Sequence, residues 1–194
     1  VRDYIKDKIG EEYLKPLLWK GNNFDDIPFD VLPESFIIKT NHGCKWHFII
    51  KNKEKYLNNQ QLFDFTKNRM NKWLSLNYFG FTDFETQYKN IKPQILIEPL
   101  LREDKDEISK SYYAWCANSI PYIEKRQSEE FREKAFELCK KLSEGFKLVR
   151  IDWMMHNEKL YFEEMTFTPF SGFLQEEMLK QEFFKQLSQN IIIK

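Results

Sequence analysis

Phe146 to Trp153 and Lys159 to Thr166 are two β-favouring runs separated only by a turn around His156-Asn157-Glu158, a spacing that admits a hairpin. Phe36-Ile37-Ile38-Lys39 and Trp46-His47-Phe48-Ile49-Ile50 repeat the arrangement across the short polar loop Thr40 to Lys45. Parallel strands need long crossovers, so hairpins in place of strict βαβ alternation make the class α+β with largely antiparallel sheets. Gln94-Ile95-Leu96-Ile97-Glu98 adds a continuous apolar strand that Pro99 closes, because proline cannot donate into a ladder. Tyr112 to Asn118 reads as one more strand.

The helices come from a different period. The opening stretch to Lys15 carries Tyr4, Ile5 and Ile9 and is expected to end at Pro16, which lacks the N–H a helix interior needs. Asn22 to Pro33, with two prolines and three aspartates, is a loop. From Gln60 to Ser75 the residues Leu62, Phe65, Met70, Trp73 and Leu74 fall near one face and predict a helix over the first hairpin. The clearest helix runs from about Glu129 to Glu144: Ser128 caps it, Phe131, Ala135, Leu138, Cys139 and Leu142 form the stripe, and Gly145 stops it. A charged turn is expected over Arg102 to Glu107, and a closing helix from near Leu174.

No repeat or linker divides the 194 residues, and 42% of them are hydrophobic, enough for one domain with a real core. Thirty basic and thirty acidic side chains are well mixed, which argues against nucleic acid as the main partner. No run of about eighteen apolar residues and no leader-like segment occurs, so a soluble, cytoplasmic protein without a membrane span is expected. The valine at position 1 suggests a processed chain or part of a longer polypeptide. The three cysteines make no CxxC pair and the three histidines no HExxH, so any metal would be held by oxygen.

Three polar features could carry chemistry. Arg150 and Asp152 share a face of the first strand of the last hairpin, and Glu164 and Thr166 share a face of the second. An odd loop, with His156 opposite Leu160, pairs Asp152 with Glu164; an even loop brings Glu163 opposite instead, and the residues leave both registers open. Two carboxylates in such apolar strands repel, so a cation should lie between them. Mg²⁺ completed by substrate phosphates is one candidate, and a salt bridge from Arg150 to Asp152 or Glu164 is the other. Lys39 ends a strand just before a loop containing Asn41, His42 and Gly43, where it can hold a phosphate as a point charge. Glu98, ahead of Pro99-Leu100-Leu101, leaves an extended backbone able to read an adenine edge.

Taken in order, VRDYIKDKIGEEYLKPL, VLPESFIIKTNHGCKWHFII, NIKPQILIEPLL and KLSEGFKLVRIDWMMHNEKLYFEEMTFTPFSG resemble the TupA-like ATP-grasp family of bacterial cell-surface polysaccharide clusters. The resemblance implies an ATP-grasp-like fold: two mainly antiparallel sheets with flanking helices and the nucleotide site between them. A nucleotide-binding subdomain would occupy about 34–100 and a metal-binding subdomain about 101–173. It implies ATP and Mg²⁺ as cofactors. Lys39 would contact phosphates and act in catalysis; Glu98, with the backbone of Pro99 and Leu101, would bind adenine; Asn41 and His42 would belong to the phosphate loop. Asp152 and Glu164 would hold Mg²⁺ with Thr166, which stands where the family usually has asparagine, and Arg150 would face the transferred phosphoryl group or the developing oxyanion. Tyr113 stands where the family has a lysine. The activity implied is carboxylate-amine ligation through an acylphosphate, on a sugar acid or its nucleotide-linked or polymeric form in capsular polysaccharide synthesis, with a glycosyltransferase as a potential partner. The alternatives are a catalytically degenerate binding module and a kinase.

Overall fold

The computed structural model describes residues 1–81, 85–102, 108–167 and 182–189. In chain order the helices are α1 (Arg2–Ile9), α2 (Lys53–Leu57), α3 (Gln60–Leu74), α4 (Glu129–Leu142) and α5 (Glu182–Gln189). The strands are β1 (Trp19–Gly21), β2 (Phe36–Thr40), β3 (His47–Ile50), β4 (Ile95–Pro99), β5 (Ser111–Ala117), β6 (Ile120–Tyr122), β7 (Leu148–His156) and β8 (Lys159–Thr166). They form two units, Pro16–Leu101 and Val1–Lys15 with Arg102–Lys194, so the chain leaves one unit after α1, completes the other, and returns. Each unit has a four-stranded antiparallel sheet, β1-β4-β2-β3 in the first and β6-β5-β7-β8 in the second, as the α+β reading requires.

In the unit Pro16–Leu101, alternation along β2 and β4 sends Phe36, Ile38, Ile95 and Ile97 into a core shared with Phe24, Tyr56 and Met70. Asn59 caps α3 by accepting the Leu62 N–H at 3.1 Å. Met70, Trp73 and Leu74 meet this core as expected, whereas Leu62 and Phe65 do not. Thr66 and Met70 are fully buried with Phe63 and Trp73 beside them, while Leu62 and Phe65 are 41% and 50% exposed. A threonine serves in the stripe because its hydroxyl donates to the Leu62 carbonyl at 2.8 Å and so carries no unmet polar group inward. Phe65 is left outside, against the Phe48 ring and under the Arg69 guanidinium.

In the other unit α1 stops at Gly10, five residues earlier than Lys15. Gly10 takes φ +112°, and its N–H donates to the carbonyls of Ile5 and Lys6. That backbone is open to glycine at little cost, so the helix ends before proline is reached. A single 3₁₀ turn, Glu11–Tyr13, follows, and Leu14 then lies beside Phe162 in a parallel bridge. The α4 reading holds: the Ser128 hydroxyl accepts the Phe131 N–H, and Phe131, Ala135, Cys139 and Leu142 are fully buried against Ile5, Val149, Ile151 and Trp153. Burying a side chain of this size contributes on the order of 1.5–3 kcal/mol, and the Trp153 indole N–H also finds the Cys139 sulfur at 3.2 Å. Two-residue turns with positive φ throughout, Asn118-Ser119 and Asn157-Glu158, join β5 to β6 and β7 to β8. Such turns match strand twist and fix tight hairpins. On the opposite face of this sheet, Phe184 and Leu187 of α5 cover Trp115 and Ala117. Leu174, the expected start of the closing helix, and most of the charged turn, 103–107, lie outside the described residues.

Candidate functional site

The unit Pro16–Leu101 contributes Lys39 and Glu98. Register sets Lys39 opposite Leu96 and Ile37 opposite Glu98, so both charged residues project from the sheet face away from Phe36 and Ile38, one diagonal step apart. The Lys39 ammonium donates to Glu98 at 2.7 Å, and the carboxylate is the more enclosed partner, with 6% of its side chain exposed against 29% for the lysine. Glu98 is thus a nearly buried carboxylate that fixes a partly exposed lysine. Pro99 closes β4 opposite Phe36, and Leu101 is the last residue of the unit.

Asn41 and His42 have structural employment in the loop after β2. The Asn41 amide donates to the Lys92 carbonyl at 3.0 Å and accepts the Gln94 N–H at 2.8 Å, tying the loop to the start of β4. His42 is 2% exposed, and its Nε2–H donates to the Trp73 carbonyl at 2.9 Å. Its ring stands edge-on to Trp46, which in turn stacks on Trp73 with 4° between planes. The His42 ring is thus part of an aromatic cluster and exposes almost no surface, so any part it plays in the phosphate loop would be to hold the loop in place.

The other unit contributes Arg150, Asp152, Glu164 and Thr166, which share one face of the β7–β8 ladder. The pairs are Arg150 with Thr166 and Asp152 with Glu164. Neither register argued from loop length is the one found. The turn is even, with His156 opposite Lys159, yet Glu164 faces Asp152 because a bulge between Asp152 and Trp153 takes up one residue of β8. Glu163 is the residue set aside. Its two carboxylate oxygens accept from the Lys15 ammonium at 3.0 Å and the Ser111 hydroxyl at 2.9 Å. The signal was present in Phe162-Glu163-Glu164-Met165: both apolar residues pack into the core, and residues three apart share a strand face only if one extra residue lies between them.

Arg150 grips Asp152 in a two-pronged pair, Nε to Oδ1 at 2.8 Å and Nη2 to Oδ2 at 2.7 Å, and reaches the Thr166 hydroxyl at 3.4 Å. Both side chains are about four-fifths covered, 23% and 20% exposed. Burial pushes the Asp152 carboxyl above the ordinary carboxylate range; Arg150 opposes this, and Glu164 and Glu163 add to it. Burial alone would lower Arg150, but its hydrogen bonds and charge contact with Asp152, and then Glu164, raise it on balance. Glu164 itself is exposed.

Next to this face, Tyr113 is directly across from Asp152 on β5. Its hydroxyl donates to Glu124 at 2.9 Å and accepts from Arg126 at 2.7 Å, while the Gln127 amide pairs with its backbone N–H and carbonyl. Sequence reasoning missed this brace because it depends on a loop closing over the end of β6.

Among the described residues no group of three or more His, Cys, Asp or Glu side chains is arranged to hold a metal ion alone. Two opposed carboxylates with a hydroxyl beside them suit instead a hard cation whose remaining ligands come from a phosphate.

Comparison with known proteins agrees with this architecture. The structure is similar to D-alanine–D-alanine ligase from Helicobacter pylori, with TM-score 0.56 and 17% identity over 97% of this chain and 54% of that one. It is also similar to D-alanine–D-alanine ligase from Bacillus anthracis complexed with ATP, with TM-score 0.50 and 11% identity over 97% of this chain and 63% of that one. The chain therefore spans less than two thirds of either ligase. No curated protein sequence matches it. No described helix is long and apolar enough to cross a membrane. The TupA-like ATP-grasp family model matches residues 1–124 and 107–192, nearly the whole chain, and the two antiparallel sheets have the ATP-grasp fold. The chain belongs to the TupA-like ATP-grasp family.

Proposed function

We propose that the protein is an ATP-dependent carboxylate-amine ligase acting on a sugar acid, free or carried on a nucleotide or polymer, in surface polysaccharide synthesis. The γ-phosphoryl group of ATP passes to the substrate carboxylate, giving an acylphosphate and ADP. An amine then attacks the acyl carbon, and phosphate leaves as the amide forms. Family membership supports the reaction class. The observation that carries it to this chain is the opposition of Asp152 and Glu164 beside Arg150.

Each residue has a defined task. The Lys39 ammonium, steadied by Glu98, neutralises phosphate charge, and Glu98 with the backbone of Pro99 and Leu101 receives the adenine end. Asp152 and Glu164, with the Thr166 hydroxyl, fit Mg²⁺ bound together with phosphate oxygens; the ion would supply charge neutralisation on the transferring group. Arg150 presents a fixed positive charge whose position is set by Asp152, and it stabilises the charge that accumulates in phosphoryl and acyl transfer. The protein's contribution is thus positioning and charge, with no protein nucleophile.

A second reading, a nucleotide-binding module without ligase activity, draws on Thr166 as a weak ligand and on the engagement of both Asp152 oxygens by Arg150. Melting curves with ADP, with and without Mg²⁺, separate these proposals from an inert fold. A ligand at roughly a hundred times its Kd stabilises by about 2.7 kcal/mol. A Mg²⁺-dependent rise in Tm that Asp152→Asn abolishes is expected, and no rise at millimolar nucleotide would end the proposal. Amide formation from uronic acids, ATP and small amines then distinguishes ligase from module.

A further inference from the structure

Two adjacent glutamates, Glu163 and Glu164, follow the last regular pair of the β7–β8 hairpin, and only one place opposite Asp152 exists for them. The core residues Phe162 and Met165 demand one bulged residue between them, but that demand is met whichever glutamate is set aside. Something else must choose. Both oxygens of Glu163 are engaged, Oε1 by Lys15 and Oε2 by Ser111, whereas Glu164 is exposed. Lys15 is 5% exposed, and its carboxylate partner is 22% exposed. The parallel bridge between Leu14 and Phe162 brings this lysine alongside β8.

We infer that Lys15 and Ser111 are positioning residues: by holding Glu163 out of the ladder they make Glu164 the carboxylate that, with Asp152, would hold Mg²⁺. This rests on the function proposed above. It also gives the charge balance of the site. A glutamate released from Lys15 and Ser111 would compete with Glu164 for the place opposite Asp152 and crowd a third carboxylate onto that face. Neither Lys15 nor Ser111 touches the nucleotide; they act through the register.

The test uses the full chain and ADP, titrated calorimetrically with and without Mg²⁺. The double variant Lys15→Met/Ser111→Ala is expected to lose roughly ten- to a hundredfold in the Mg²⁺-dependent part of ADP affinity, because the register that presents Glu164 is no longer fixed and a misplaced ligand costs about as much as one that has lost its outer-shell support. Its Mg²⁺-free ADP affinity stays unchanged. Deleting Glu163 in that same background removes the rival carboxylate and the need for a bulge, so Glu164 follows Phe162 directly and returns to its place opposite Asp152. Affinity should recover to within about threefold of wild type. If Lys15 served only to fasten the Leu14–Lys15 segment to β8, the deletion would restore nothing, since it removes the anchor as well. An undiminished Mg²⁺ response in the double variant, or a loss that the deletion does not repair, overturns the inference. Cross-strand NOEs between β7 and β8 read the register without any ligand. If wild-type protein shows no Mg²⁺-dependent binding, the function proposal fails, and the inference is judged on whether the Asp152–Glu164 contact persists in the double variant, which would sink it, or gives way to Asp152–Glu163.

Discussion

Replacing Arg150 by methionine keeps the aliphatic stem and removes the cation. Two charge-assisted hydrogen bonds to Asp152, at 2.8 and 2.7 Å, are lost, leaving a mostly covered carboxylate opposite Glu164 with no counter-charge on its strand. Hydrogen bonds to charged groups contribute about 1.5–3 kcal/mol, and the remaining fifth of exposure moderates the Coulombic share. The expected cost is therefore about 2 kcal/mol, or about 4–8 °C in Tm for a chain of this size. The pH dependence has a definite sign. Asp152 already has its pKa raised by burial; without Arg150 it rises further. A carboxyl with a folded pKa above its unfolded one disfavours the folded state once both states are ionised, and the penalty fades as pH falls through the folded pKa. The Arg150→Met penalty should thus be largest at neutral pH, shrink in the mildly acidic range, and be relieved by adding Asp152→Asn. Urea unfolding of wild type, both single variants and the double at pH 7.5 and pH 5 measures all of this. A penalty that is the same at both pH values, or a double variant no more stable than Arg150→Met alone, would refute the argument that the pair exists to neutralise Asp152.

Two further perturbations separate architecture from chemistry. His42→Leu removes the donor to the Trp73 carbonyl and should cost about 1 kcal/mol, seen as a fall of about 2–4 °C in Tm, with ADP affinity unchanged; a tenfold loss of affinity would give His42 a part in binding phosphate. Gly10→Ala forces a side chain onto a backbone at φ +112° and should destabilise by about 1–2 kcal/mol. Unchanged stability there would mean that something other than glycine ends α1.

What the sequence disclosed followed from whether local signals agreed. For α4, the Ser128 cap, the 3.6-residue stripe from Phe131 to Leu142 and the closing Gly145 agree with one another, and the helix lies where they indicate. For α1, two terminators compete. Pro16 is the stronger breaker in isolation, but Gly10 comes first and its φ +112° backbone ends the helix. For α3, counting apolar residues selected Leu62 and Phe65 and passed over Thr66, whose polarity is cancelled by a bond within its own helix. The pairing of Asp152 with Glu164 was the sharpest case: loop length left the register open, whereas the three-residue spacing of Phe162 and Met165 encoded a bulge. Choosing between the two glutamates needed Lys15, 148 residues away. His42 is the complementary case. Nothing in a polar loop announces that Trp46 and Trp73 will be brought around its ring.

The interruption of one unit by the other has a consequence for synthesis. Residues 16–101 form a continuous segment that can complete its sheet as soon as it has left the ribosome. The first nine residues cannot do the same. Ile5 is fully buried against a core built from α4, β7 and β8, and the Tyr4 hydroxyl donates to the Leu142 carbonyl, 138 residues downstream. At about 5–20 residues per second, α1 waits roughly 7–28 s for its partner to be made. Throughout that interval the nascent chain carries α1 with the partners of Ile5 and Tyr4 not yet made, while residues 16–101 are able to complete their own sheet. Molecular chaperones that act on emerging chains would find their target there, and the closing of α1 would wait on elements made well after it.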